Sequence, residues 1–377
     1  AFGGCPKVTG LRDLPMLEEI GANALDSANI PEIANLPRLR KIGAYAMPRH
    51  NLVTVGNLPS LEYIGDNAFW SSADLVSFGA APNVTYVGAS AFEYCRNLET
   101  IGLGGITAEI GKNAFAVCTS LKSLDLSNVT SIGEKAFSNC GALETVVSLE
   151  SITSLGKNAF EECKSLVTVG KIGNLTELPE SLFYNCKSLA DVTLPDTLVK
   201  INKQAFMRCY VLPSINLPDG LETIDDQAFE MCEALPEIIV PESVTSIGAE
   251  AFFGCHSAVR IVFPKSLATL PGSGVSQCRK LESFVFPENT KIVPTSFFYG
   301  CTSLKEVVLP NTVTNVTWQA FMDCTSLTRV TIPSSVTFIS PNAFAGCKKA
   351  NLTLLVERGS YAETFAKKNS YHYKYSN

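Results

Sequence analysis

The residues of this chain best equipped for chemistry are its thirteen cysteines, and all of them fall on one ladder: Cys5, Cys95, Cys118, Cys140, Cys163, Cys186, Cys209, Cys232, Cys255, Cys278, Cys301, Cys324 and Cys347. Thiolates hold structural zinc when they come in close pairs such as C-x-x-C, and no such pair occurs. From Cys95 onward the step is 23 residues, with one step of 22 between Cys118 and Cys140. Neighbouring rungs lie close enough for a disulfide, but equivalent side chains point the same way and do not converge. The ladder is therefore expected to hold buried, reduced, unmetallated thiols that pack as small hydrophobes. So many reduced thiols suit an anaerobic habitat better than an oxidising one.

The other reactive residues are scattered. The three histidines, His50, His256 and His372, stand far apart in the repeat, so no two can share a metal or complete a Ser-His-Asp arrangement. Asp225-Asp226 and Glu161-Glu162 sit among turn residues. A glycosidase needs two carboxyls facing each other across a cleft, which a smooth coil does not offer. The glycine-rich stretches do not join a strand to a long helix, so they make poor phosphate loops. No catalytic, cofactor-binding or metal-binding residue is assigned, and the chain is read as a non-enzyme without a cofactor.

The elements that position these residues follow from the period. Between Cys5 and Cys95 the same frame continues with Ala28, His50 and Ser72 in the cysteine place. A fixed period of 20 to 50 residues is the signature of a solenoid. The unit from Cys301 to Cys324 shows its logic. Val307 and Leu309 alternate as in a short half-buried strand, and Pro310, lacking an amide donor, ends it. Val313, Val316 and the pair Ala320-Phe321 follow at spacings of three to four, which predicts turns of 3₁₀ or α-helix. Glycines after the second anchor (Gly65, Gly88, Gly111, Gly133, Gly156 and Gly248) imply either a positive φ or a close backbone approach.

Composition sets the limits. The chain has 377 residues, 46% hydrophobic and 18% charged, with a net charge of -6, which excludes long disorder. No basic block exists to hold a polyanion, so nucleic acid is not an expected partner. No run of about 18 apolar residues could span a membrane. The chain opens without Met in the tail of a repeat, Ala1-Phe2-Gly3-Gly4-Cys5, and the natural protein is expected to extend upstream, where a secretion or anchor signal would lie.

The frame L-x-x-[IV]-x-[LI]-P-x-x-[LV]-x-x-I-G-x-x-A-F-x-x-C, seen in Leu189-Val192-Leu194-Pro195, Leu235-Ile238-Val240-Pro241 and Leu327-Val330-Ile332-Pro333 and in pairs such as Ala114-Phe115 and Ala228-Phe229, resembles the BspA-like leucine-rich repeat family. The resemblance covers nearly the whole chain. It implies a leucine-rich-repeat α/β solenoid, a right-handed superhelix of about 16 coils with a parallel sheet on the concave face and short helical turns on the convex face. It also implies a secreted or surface-exposed bacterial protein of the adhesin kind. The solenoid is expected over residues 1–355, irregular to about residue 80, with a cap over 356–377. Two departures stand out: Gly274-Val275 replaces Ala-Phe, which should thin the core, and Gly104-Gly105 lies in a turn without proline.

Function is then expected on a surface. The column between the strand anchors, facing out of the sheet, reads Gly102, Asp125, Val147, Gly170, Thr193, Asn216, Ile239, Val262, Val285, Val308, Thr331 and Leu354. Its aliphatic run, Ile239, Val262, Val285 and Val308, together with Glu237, Arg260, Glu306 and Arg329 beside it, is the candidate partner-binding surface, though β-propensity alone also favours such residues. The expected function is a non-catalytic module, monomeric and extracellular or cell-surface, that binds a protein ligand on the concave face, as in adhesion. The alternatives are a structural spacer presenting another domain, or a polysaccharide binder; the latter would want outward aromatics, which the column lacks.

Overall fold

The computed structural model describes residues 10–25, 28–103 and 109–376, so Cys5 and the Gly104-Gly105 turn lie outside the described residues. The chain is a parallel-sheet solenoid of about 16 turns with few helices. It divides after Pro195 into two compact units, each built from the same coil.

The coil after Cys301 illustrates how the sequence folds. Glu306–Val308 is a strand that pairs in parallel with Arg329–Ile332, in the register Glu306 to Arg329, Val307 to Val330 and Val308 to Thr331. Val307 is buried and Val308 exposed, as the period-two alternation requires. The Pro310 carbonyl accepts the Val313 N–H at 3.0 Å, and this tight turn ends the strand.

The second half of the coil departs from the helical turns expected there. Asn315–Val316 is a two-residue strand that pairs in parallel with Ile292–Val293 on one side and Phe338–Ile339 on the other. Its flanking amides reach the preceding coil, Thr314 N–H to Lys291 O at 2.8 Å and Thr317 N–H to Val293 O at 3.1 Å. The coil therefore has two strand ladders. The Ala-Phe segment that follows is neither strand nor helix. Alternate amides close turns within the coil (Met322 N–H to Gln319 O, 3.0 Å) or cross to the next one (Phe321 N–H to Ala343 O, 2.8 Å). Crossing demands left-handed residues on either side, Gln319 at φ 55° and Asp323 at φ 57°. Among the described residues the one helix is Tyr361–Lys368.

The glycine after the second strand serves close approach, not positive φ. A Cβ on Gly111 would lie 2.6 Å from the Ala89 backbone nitrogen, and one on Gly248 2.3 Å from that of Asp226. Proline in this place has the opposite effect, because it brings a ring and removes the N–H that bonds the preceding coil. It stands there at Pro179, Pro271 and Pro294, and the second ladder breaks at each. Glu177–Leu178 lies in a different sheet from Ser154–Leu155, residues 269–270 form no strand after Ser246–Ile247, and Ile292–Val293 begins a new sheet. Between the last two, a cleft of about 330 Å³ opens, walled by Leu270, Ile292 and Pro294.

The core is a pile of phenylalanine rings. In the first unit Phe69, Phe92, Phe115, Phe137, Phe160 and Phe183 stack at centroid distances of 4.9 to 5.8 Å. In the second unit the stack Phe206, Phe229, Phe252 stops at Val275, where the sequence suggested a thin core. The gap is filled from neighbouring coils. Phe263 packs against Phe252, Phe284 and Phe297, and Phe284 leads on to Phe298 at 5.3 Å. Gly274 fits the crowded turn, since a Cβ there would lie 2.4 Å from Pro271 Cγ and 3.1 Å from the Phe297 ring.

The last coil is covered by the tail. Thr353–Val356 pairs with Arg329–Ile332, and His372–Tyr375 pairs in parallel with Thr353–Val356. Between them Ser360 caps the helix, its hydroxyl accepting the Glu363 N–H at 3.2 Å. Glu363 Oε2 in turn takes the Gly359 N–H at 2.6 Å, a reciprocal arrangement close to a capping box.

Candidate partner-binding surface

All eight residues expected at the surface site lie in the second unit, seven of them on strands of the first ladder and Val285 between two of its segments. Glu237–Ile239 and Arg260–Val262 pair in register, so Ile239 stands beside Val262 and Glu237 beside Arg260. Ile239 is 47% exposed, Val285 81% and Val308 66%, while Val262 is half-buried. The stretch around Val285 carries no strand among the described residues, so the aliphatic column crosses an interruption in the ladder.

Charges border the column in matched pairs. Arg260 bonds Glu237, Arg329 Nη1 lies 3.2 Å from Glu306 Oε1, and Lys305 Nζ lies 2.8 Å from Glu282 Oε2. Each pair spans neighbouring coils at the same register position. All are solvent-exposed, so each contributes at most about 1 kcal/mol and chiefly orders the border.

The column needs corrections at two places. Leu354 faces the core, fully buried and opposite Val330; the outward neighbour of Thr331 is Leu355. One extra residue between Cys347 and Leu352 shifts the strand, and a shift of one flips every side chain to the other face. In the first unit a bulge at Gly170, φ 62°, places Lys171 and not Gly170 beside Thr193. A similar irregularity between Phe78 and Ala80 precedes Gly102.

The column's far end lies on the tail, where the alternation Tyr371-His372-Tyr373-Lys374-Tyr375 reads as an edge strand and His372–Tyr375 forms one. In register, Val308 is followed by Thr331, Leu355 and Lys374, the last supplied by the tail strand. A cleft of about 520 Å³ opens beside Val308, lined among others by Asn311, Thr331, Glu357, Arg358 and Ser376. The Arg358 guanidinium lies 4.7 Å from the centre of the Tyr375 ring. Glu357 Oε1 accepts the Ser334 N–H at 2.9 Å, a bond that holds its carboxyl below the usual range. Parallel return of the tail is the cause, and no repeat pattern announces it.

The reactive residues are engaged in structure. Each of the twelve described cysteines is buried and in the thiol form. Burial pushes the Cys140 thiol up to about 12 and that of Cys118 well above its ordinary value. Sγ donates to a carbonyl of the preceding coil, as from Cys163 to Phe137 O at 3.2 Å. Ser72 uses the same place in the same way, donating to Met47 O at 3.0 Å. His50 does not: it is 5% exposed, and its ring nitrogens make no hydrogen bond of ordinary geometry, having only the Ala28 and Ile30 backbone close by. Burial lowers its pKa. His256 Nδ1 lies 3.5 Å from Glu233, remote from the others. Asp226 Oδ1 accepts the Ala249 N–H at 2.8 Å, and Glu162 Oε1 accepts from Asn185 at 2.8 Å, so the paired carboxylates serve the coil turns.

A family model for the BspA type leucine rich repeat region, in 6 copies, matches residues 1–122, 49–167, 108–236 and 222–351. Among solved structures the chain is similar to a leucine-rich repeat protein from Bacteroides ovatus, at 23% identity and a TM-score of 0.64, over 98% of this chain and 94% of that one. It is also similar to a leucine rich cell surface protein from Faecalibacterium prausnitzii, at 25% identity and a TM-score of 0.49, over 86% of this chain and 85% of that one. No curated protein matches. With repeat matches running through almost its whole length, the chain belongs to the BspA-type leucine-rich repeat family.

Proposed function

We propose that this protein is a non-catalytic binding module, displayed at a bacterial surface or outside the cell, that adheres to a protein partner through the outward face of the first ladder in its second unit. The observation that carries the reading is the exposed aliphatic column Ile239, Val262, Val285 and Val308, bordered by charges already paired with one another. Aliphatic side chains on a solvent-facing sheet gain when covered, at roughly 25 cal/mol per Å². The bordering ion pairs supply orientation more than affinity. A pure spacer has no need of such a column. Membership of the BspA-type family supports the surface location.

The test replaces Val285 by Asp alone and Val262 and Val285 by Asp together, with folding checked by circular dichroism. Binding to immobilised extracellular-matrix proteins and to host cells is then measured. Loss of binding by both folded variants is expected. Unchanged binding by the folded single and double variants moves the site off this column, with the turns around the exposed Trp318 as the next region to mutate.

A further inference from the structure

The aliphatic column does not end in solvent; it runs into a region with a surplus of positive charge, Arg358 and Lys374 against the single ionised Glu357. In register beyond Val308 stand Thr331, Leu355 and then Lys374, on the outermost strand. Beside Val308 the 520 Å³ cleft carries Arg358. Among the described residues neither Arg358 nor Lys374 has a carboxylate partner, whereas Arg260, Lys305 and Arg329 on the same face each have one. The Tyr375 ring beneath Arg358 holds the guanidinium in place without satisfying its N–H groups. Glu357, in the same cleft, accepts the Ser334 backbone N–H through Oε1 and offsets one of the two cations, while Glu363 is taken up by Lys367 and the Tyr375 hydroxyl. Asn311, Thr331 and Ser376 add polar groups to the walls.

We infer that this face takes an extended polypeptide segment of a partner in which aliphatic residues are followed by acidic ones, the aliphatics over Val285 and Val308 and the carboxylates on Arg358 and Lys374. The chemistry is specific in both halves. Paired charges along the aliphatic column leave nothing for a charged ligand to engage there, so apolar side chains are favoured. At the far end two cations offer N–H donors that a carboxylate matches, and Arg358 can receive one in bidentate fashion. A basic segment is disfavoured by the same two charges. This inference rests on the proposed binding face and adds the character of the segment that fills it.

Two labelled peptides separate the possibilities: one with alternating Val and Thr followed by Asp-Glu-Asp, and its neutral twin ending Asn-Gln-Asn, both blocked at their termini. Fluorescence anisotropy against the full chain is expected to show the acidic peptide binding about tenfold tighter at low salt, with the advantage shrinking as salt is added. Arg358→Gln with Lys374→Gln should erase the difference between the peptides, and Arg358→Lys should retain most of it. Val285→Asp with Val308→Asp should abolish binding of both. Equal binding of the two peptides by the wild-type chain, or a preference that survives the double Gln variant, overturns the inference while leaving the binding face intact. Failure of the acidic peptide to bind overturns it as well, and the matrix-binding assay of the Val262 and Val285 variants then decides separately whether the face binds any partner.

Discussion

The Sγ of Cys118 donates to the carbonyl oxygen of Phe92 in the preceding coil at 3.1 Å, and the same oxygen accepts the Cys95 N–H at 3.0 Å. One carbonyl thus ties its own coil's turn and the next coil's thiol together. This arrangement repeats up each unit and gives the thiols a structural reason to stay protonated: the proton makes the bond, and a thiolate would be stranded in the core.

Thiol-reactive probes should therefore label the native protein slowly at its twelve described cysteines and reach all thirteen after denaturation. Cys118→Ser should retain stability to within about 1 kcal/mol, as Ser72 does natively, while Cys118→Ala leaves Phe92 one donor short and should cost about 1–2 kcal/mol. Urea unfolding of the two variants checks the order. Equal stability of Ser and Ala would mean that the thiol bond contributes nothing.

His50 occupies a thiol's place without a thiol's bond. Its folded-state pKa lies below the ordinary 6.5, so the unfolded chain binds a proton more readily. Stability is then full above about pH 6.5 and falls as the pH drops from there through the lowered folded value. His50→Cys should flatten this slope and add about 1 kcal/mol by replacing a poorly partnered buried ring with a thiol that can bond the preceding coil. Thermal melts of both proteins at neutral and mildly acidic pH test it. A parallel decline in the two would assign the pH dependence to other groups.

Val117 is a β-branched residue at φ 63°, in a place that the next coil gives to Asn139 at φ 61°. Its amide is fixed there by a 2.8 Å bond to Ser138 O, so the backbone cannot relax. Left-handed geometry disfavours a branched Cβ by roughly 1–2 kcal/mol, and Asn tolerates it. Val117→Asn should raise stability by about 1 kcal/mol, read as a shifted denaturation midpoint. A destabilised variant would show that packing by the Val methyl groups outweighs the strain.

How much of this was legible in the sequence depends on where hydrogen bonds go. The first strand was readable from Val307 and Leu309 with Pro310 behind them, because alternation and a missing donor are properties of the chain itself. The second ladder was not. Val313, Val316 and Ala320 have helical spacing, and only the partner of the Thr314 amide, Lys291 in the preceding coil, reveals a strand. Asn at positions 23, 67, 113 and 158 was the overlooked signal of left-handed turns. In the candidate site, Glu237 and Arg260 were legible as neighbours because the period fixes register. Leu354 was misplaced by a single inserted residue. The tail alternates like an edge strand, but the register that sets Lys374 beside Leu355 and Arg358 over Tyr375 was not legible, because the tail joins the sheet outside the repeat.

Gly and Pro, which share this slot with Asn202, Asp225, Thr317 and Ser340, predict opposite responses to alanine. Gly111→Ala would drive a Cβ to 2.6 Å from Ala89 N and should cost more than about 2 kcal/mol. At Pro294 the ladder is already open, so Pro294→Ala should be nearly neutral. Similar losses at both places would show that the slot's tightness is not what sets the ladder breaks.

The cap gives the clearest acid response. Glu363 accepts bonds from Lys367, from the Gly359 N–H and from the Tyr375 hydroxyl, and these hold its carboxyl down at about 2. A depressed folded-state pKa means that the contribution is complete above the ordinary value of 4.5 and is lost as the pH falls from there through about 2. The same carboxylate joins the first turn of the helix to the outermost strand, so its protonation should loosen both. Hydrogen exchange at Tyr361–Lys368 and His372–Tyr375 is expected to quicken across that interval, after correction for the intrinsic effect of pH, while the phenylalanine-stacked coils remain protected. Glu363→Gln should show the faster exchange already at neutral pH and no further acid step, since Gln keeps the size but accepts through a single oxygen and loses the ion pair with Lys367. If the variant's cap exchanges as slowly as the wild type at neutral pH, the network around Glu363 is not what holds the tail strand in place, and Lys374 would then reach the end of the aliphatic column by strand pairing alone.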